Sequence, residues 1–226
     1  MPISSTDAFS LENYGYNLTR LAREGNIPPL AGYDTVVTRI FAVLLRPGNR
    51  SNSMLIDEDE PRRWQIMMEV LRRVAAGDVP EPLQTCQVIA PNFAALCGAS
   101  PPAVQPELTG TASEIEAQLT HLLAWPSQER WHSADSVLPT FEAFFSAARR
   151  TEHQVLLLND FHRLIGGEPH PYALDLAPLL VSALARNEIQ LLGTSTLEQY
   201  RHYIERDAAI ARRFQAVMLK SDLEIL

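Results

Sequence analysis

Apolar residues along the chain fall into short blocks whose spacing alternates between helical and buried-strand patterns. From Thr35 to Leu45 the residues Val36, Val37, Ile40, Phe41, Val43, Leu44 and Leu45 predict one helical face, with Asp34 placed to cap it and Pro47-Gly48 to stop it. Ser53 to Ile56 reads as a buried strand, followed by an acidic, proline-containing turn and a helix over 62–76. CQVIAP (86–91) predicts a second strand, NFAALCG (92–98) a short helix, and SPPAVQPELTG (100–110) a loop that continues neither. The helix FEAFFSAARR (141–150) leads into QVLLLND (154–160), whose unbroken apolar run requires burial on both faces, as in a parallel sheet covered by helices. LDLAPLLVSALARNE (174–188) and IQLLGTST (189–196) repeat the alternation, and a last helix and a strand around QAVML (215–219) close it. About five short strands separated by helices imply an α/β three-layer fold with a parallel sheet.

Three segments stand outside that alternation. Residues 1–10 are small and polar and read as a lead-in, with one domain over 11–226. LENYGYNLTRLAREG (11–25) reads as an N-terminal arm with some helix. Residues at about 100–140, with one clear helix in SEIEAQLTHLLAW and with Trp125 and Trp131, read as an insertion. The two tryptophans have two readings, a cap on the core or a partner surface.

Composition narrows the partners. A net charge of -8 and a pI near 5.2 argue against a broad basic footprint for nucleic acid or an anionic membrane. No apolar run reaches the roughly 18 residues that a membrane span needs, and no leader-like start is visible. Cys86 and Cys97 show neither metal spacing nor a disulfide framework, which fits a reducing, cytoplasmic setting.

The flanking segments carry a family resemblance. LENYGYNLTRLAREG, AGYD, VLRRVAAGDVP and ALARNEIQLLGTSTLEQYRHYIERDAAIARRFQAV resemble the first nucleotide-binding domain of the Clp-type AAA+ disaggregases (ClpB-like), over most of Leu11 to Val217 apart from the insertion. The resemblance implies a P-loop NTPase-like fold. It also implies a nucleotide pocket completed by a small helical lid, which this sequence, ending at Leu226, is expected to lack.

A P-loop needs glycines for close backbone approach, plus Lys and Ser/Thr for phosphate and magnesium. Here that turn reads DEDEPRRW. With Gly77-Asp78-Val79-Pro80 fixing the register, the resemblance puts Asp57, Glu60 and Arg62 on glycine positions, Arg63 on the lysine and Trp64 on the Ser/Thr. An indole only donates and cannot ligate magnesium. The acids Asp57 to Glu60 oppose a polyphosphate by about 4 kcal/mol per close like-charge pair before screening, an opposition that Arg62 and Arg63 partly offset. The simpler reading of the segment is a solvated turn with helix-start charges.

The strand-end acid pair that the resemblance implies, one for magnesium and one for the attacking water, is here Asn159-Asp160, followed by a structural His162. Gly193 precedes Thr194, Ser195 and Thr196, which fall on the family's sensor of the nucleotide state. Arg212 and Arg213 match its arginine fingers, which act on the neighbouring subunit's nucleotide, with a solvated pair facing Glu205 and Asp207 as the plain alternative. The pore-loop region after Leu96, Gly98 to Pro102, has no aromatic residue for threading.

The scattered histidines and Ser182, Ser195 and the cysteines lack metal spacing or a nucleophile context, so no metal site is expected. The reading that results is a catalytically degenerate Clp-like AAA+ domain acting through protein partners, possessing no catalytic residues and no cofactor. ATP or ADP with magnesium enters only under the alternative of a working Clp-type ATPase. A second alternative is a subunit that supplies Arg212 and Arg213 in trans to an active partner.

Overall fold

The computed structural model describes residues 11–47, 51–98, 105–126, 134–151, 153–166, 176–185 and 189–219. In chain order the elements are α1 (Leu11–Tyr14), β1 (Gly15–Asn17), α2 (Leu18–Gly25), α3 (Asp34–Leu44), β2 (Asn52–Ile56), α4 (Glu60–Ala76), α5 (Glu81–Gln84), β3 (Gln87–Pro91) and α6 (Phe93–Leu96). They continue with α7 (Ala112–Leu122), α8 (Ala134–Arg150), β4 (Gln154–Leu158), a 3-10 turn (Phe161–Leu164), α9 (Ala177–Ala185), β5 (Gln190–Ser195), α10 (Leu197–Gln199), a π turn (Tyr200–Ile204), α11 (Ala208–Ala211) and β6 (Phe214–Met218).

The strands form one mixed sheet in the order β1-β3-β4-β5-β2-β6. β2 to β6 run parallel, which makes the fold α/β with helices on both faces, of the P-loop NTPase-like kind. The apolar runs are unbroken because each strand buries alternate side chains on opposite faces. Val155 and Leu157 of β4 join Leu55, Trp64, Val37 and Leu119 in one half of the core, while Leu156 and Leu158 join Met54, Phe141, Phe144 and Leu180 in the other.

Two buried positions fix the middle of the sheet. Asn52 accepts from the Leu191 amide (2.8 Å) and donates to the Arg213 carbonyl (2.9 Å), tying β2 to strands on both sides. Gly193 faces Met54 so closely that a Cβ there would lie 2.7 Å from the methionine methyl.

The structure corrects the N-terminal arm. Gly15–Asn17 is a sixth strand, antiparallel to β3, between the two helices of an arm for which some helix and no strand was expected. Gln105 covers its outer side, donating to the Gly15 carbonyl (2.8 Å) and accepting from the Asn17 amide (3.1 Å), which occupies an otherwise open sheet edge. A second correction concerns Asp34: the cap position of α3 is Tyr33, and Asp34 is the first helical residue, ion-paired to Arg73.

Helix α4 leads from the candidate site into the core. Asp59 caps it by accepting from the Arg62 amide (3.0 Å), and Gly77 ends it at φ +73, a left-handed conformation that glycine adopts without a Cβ penalty. The insertion-region helix α7 starts with a capping box between Thr111 and Glu114 and buries Ile115 and Leu119 against the α4 side of the core. Residues 99–104 and 127–133, with Trp131 and most of the pore-loop region, lie outside the described residues.

Candidate functional site

The carboxyl ends of β2, β4 and β5 meet at one edge of the sheet, where a doubly wound sheet places its ligands. Asp57 directly follows β2 and is buried. Arg62, one turn into α4, reaches back with Nε donating to Oδ2 and Nη2 to Oδ1, both at 2.6 Å. The Asp59 amide adds a bond to Asp57 Oδ1 (2.9 Å). Burial pushes the Asp57 carboxyl up, but the Arg62 fork and the Asp59 amide outweigh it and hold the group below its ordinary range. Asp57 in turn raises the Arg62 guanidinium.

Arg63 is buried as well. Its Nη1 donates to the Asp57 carbonyl (2.5 Å), and its Nη2 lies 3.9 Å from Asp160 Oδ1. The segment DEDEPRRW is therefore not the solvated turn that its composition suggested: Asp57, Arg63 and Trp64 are buried, and only Glu58, Asp59, Glu60, Pro61 and part of Arg62 face solvent. Trp64 packs in the apolar core with Leu55 and Val37, so its side chain fills space. Glu60 is exposed in the first turn of α4, while Glu58 accepts from the Leu197 amide (2.9 Å).

At the end of β4, Asn159 and Asp160 are held from three sides. Thr194 donates its hydroxyl to Asn159 Oδ1 (2.6 Å) and accepts from the Asp160 amide (3.1 Å). The Trp125 indole donates to the Asn159 carbonyl (3.4 Å) while stacking on Phe93 with ring centroids 3.8 Å apart. Asp160 adopts φ 49, ψ 53, a left-handed conformation that Asp tolerates better than most residues. Its carboxylate stands between Arg63 and Arg163, 3.7 Å from Arg163 Nε.

The sensor-like residues are part of the same net. Thr194 and Ser195 are buried, the Ser195 carbonyl accepts from the Asp57 amide (3.1 Å), and Thr196 caps α10. The structure thus gathers Asp57, Arg62, Arg63, Asn159, Asp160, Thr194 and Ser195 at one place. Each charge of the group faces an opposite charge inside the chain. Among the described residues no cluster of three or more His, Cys, Asp and Glu has metal-site geometry.

Arg212 and Arg213 part company. Arg213 is buried and donates from Nη1 to the Leu184 carbonyl (2.7 Å), closing α9 against β6. Arg212 is exposed and makes no ion pair among the described residues, neither with Glu205 nor with Asp207, whose carboxylate instead accepts from the amides of Ala209 and Ile210.

Sequence reasoning missed the Thr194 bridge to Asn159 and the Trp125 stack on Phe93, since no local pattern signals a bond between residues that far apart in the chain. Both cysteines are free and buried, and burial pushes Cys86 up to about 11 and Cys97 up to about 12. No helix among the described residues is long and apolar enough to cross a membrane.

No protein-family model matches the chain. Individual proteins do. It is 32% identical to the chaperone protein ClpB of Gloeobacter violaceus over 92% of its own length and 20% of that protein. It is also 32% identical to the chloroplastic chaperone protein ClpC1 of Arabidopsis thaliana, over 95% of this chain and 20% of that one. The chain thus spans about a fifth of the length of the curated relatives it matches. Among solved structures, the S. cerevisiae Hsp104-ADP complex superposes with a TM-score of 0.68 at 23% identity, over 94% of this chain and 31% of Hsp104, a likeness of fold. With the sequence segments, the sheet order and these relatives in agreement, the chain belongs to the Clp family of AAA+ proteins.

Proposed function

We propose that this Clp-family domain does not hydrolyse nucleotide and works as a protein-interaction or assembly module. The observation that carries the reading is the Asp57–Arg62 fork, which stands where the resemblance expects flexible glycine backbone around phosphates. A nucleotide's phosphates would have to displace an internal ion pair and approach Glu58 and Glu60. Asn159 offers magnesium a neutral amide, and the buried indole of Trp64 offers it nothing. The residues present do not fit a magnesium nucleotide.

Protein partners accord with the relatives. Hsp104 has been captured with casein, and the curated relatives are named chaperones. A second reading is favoured by one observation, the exposed Arg212, which has no ion pair among the described residues: acting in trans on an active partner's nucleotide, it would make this chain a stimulating subunit.

Titration calorimetry of ATP and ADP into the purified chain, with and without magnesium, tests the first reading, alongside a turnover assay. No binding heat and no phosphate release are expected. Magnesium-dependent hydrolysis abolished by Asp160→Ala would overturn it in favour of a working ATPase chaperone. Loss of a partner's turnover on Arg212→Ala in a reconstituted complex would establish the second.

A further inference from the structure

The amino ends of the parallel strands, at the edge of the sheet away from the candidate site, carry a groove of about 530 Å³. Its floor is apolar: Leu44 at the end of α3, Leu83 in α5, Cys86 before β3 and Ile189 before β5 are all buried. The Gln190 side chain ties the end of α3 to the chain entering β2, donating to the carbonyls of Leu44 (2.5 Å) and Ser51 (3.0 Å), so the floor rests on fixed backbone.

The rim carries one sign of charge. Arg46, Arg149 and His153 line the groove, and none of its described lining residues is an acid, on a chain whose net charge is -8. Arg46 is exposed and makes no ion pair among the described residues; its Nη1 donates to the neutral side-chain amide of Gln215 (3.2 Å). His153 is exposed too, on backbone at φ 56, a left-handed conformation uncommon outside glycine, and its carbonyl accepts from the Gln87 amide (2.8 Å), which anchors this side of the rim to the start of β3.

A cationic rim over an apolar floor complements an apolar side chain flanked by carboxylates. Pockets for small molecules bury most of their ligand, whereas Arg46, Thr151 and His153 leave this rim open to water, so an extended segment running past the rim fits better than a compact ligand. A polyanion such as nucleic acid would leave the apolar floor unused and meet the chain's negative charge beyond the rim.

We propose that this groove docks a short acidic and apolar peptide segment of a partner protein. The proposal rests on the reading of the domain as a protein-interaction module and gives that module a surface. The nucleotide position lies at the other ends of the strands, so the two readings fail in separate assays: ATP turnover speaks to the first and peptide binding to the second.

Fluorescence anisotropy of a labelled synthetic peptide of leucines flanked by glutamates, titrated with the purified chain, tests it. Saturable binding is expected at about 0.01 M salt and should weaken toward about 0.15 M, as the screening length falls from about 30 Å to about 8 Å. R46E/H153E should weaken it by at least about tenfold, and so should glycine in place of the peptide's leucines. A counterpart with lysine in place of glutamate should not bind. If R46E/H153E does not fold, R46Q/H153Q, which removes the charges without reversing them, should show a smaller loss in the same direction. No binding of the glutamate peptide, binding unmoved by the folded rim variant, or equal binding of the lysine counterpart would overturn the proposal. So would N-acetylleucine competing as strongly as the peptide, which would make the groove a site for a small carboxylate.

Discussion

Arg62 grips Asp57 through two bonds of 2.6 Å, so the residue that leaves β2 is riveted to the first turn of the helix that follows it. Phosphate-binding loops need free backbone amides at this point, and the fork supplies instead a closed ring of side chain, cap and backbone.

Breaking the fork should cost stability in proportion to how far each partner is buried. Asp57→Asn leaves a half-exposed Arg62 that water can reach, so a loss of about 1–2 kcal/mol is expected, seen as a lower denaturant midpoint at unchanged slope. Arg62→Ala strands the buried Asp57 carboxylate and should cost more. Equal effects for the two would show that the lost pair sets the cost and that the stranded carboxylate adds nothing to it.

Glu69 predicts the acid limb of stability. Burial alone would raise its carboxyl, but bonds from Arg72, Arg73 and the Leu30 amide bring it down to about 2. A depressed carboxyl contributes stability that is full above its unfolded value near 4.3 and is lost as pH falls toward 2. The contribution is at most about 3 kcal/mol by the size of that shift. Glu69→Gln should therefore lower stability at pH 7 and flatten its decline between pH 5 and pH 2, measured by urea unfolding across that range.

Gly193→Ala should cost about 1–3 kcal/mol, because the new Cβ lands 2.7 Å from the Met54 methyl and 2.9 Å from its sulfur in a fully buried site. Met54→Ala removes that obstacle, so the double variant should lose clearly less than the sum of the two single losses. Additive losses would place the strain elsewhere.

Arg212 and Arg213 should separate in a melting experiment. Arg212→Ala should stay within about 0.5 kcal/mol of wild type, whereas Arg213→Ala, which removes a buried bond to the Leu184 carbonyl and the packing around it, should cost about 2–3 kcal/mol. Reversed magnitudes would mean that Arg212 holds the fold and Arg213 is the available one.

The cysteines give a check on the core. With their thiols pushed up to about 11 and about 12, Cys86 and Cys97 should resist a thiol reagent at pH 8 in the native chain and react promptly in denaturant. Rapid native labelling would show that these strand and helix ends open readily.

The sequence by itself determined the α/β alternation, because a strand buried on both faces has to be largely apolar, and the run QVLLL of β4, buried at every position, is such a strand, while shorter apolar blocks coincide with the other parallel strands. It determined the family as well, through contiguous segments such as GDVP and the stretch leading to Arg213, and it identified which residues stand on the nucleotide positions. Those are local properties, readable from neighbours in the chain. Strand β1 was not readable, since three residues acquire strand geometry only by pairing with Ala90 some seventy-four positions away. The fate of the charges was not readable either. DEDEPRRW looks solvated as a string, yet Asp57 and Arg63 are buried because the sheet sets β5 beside β2 and β4 beyond it, which brings the Ser195 carbonyl to the Asp57 amide and Asp160 to Arg63, while Arg62 folds back onto Asp57. The same reason separates Arg212 from Arg213: adjacent in sequence, they leave the chain on opposite sides, and only the packing of α9 on α11 and β6 decides which one is enclosed.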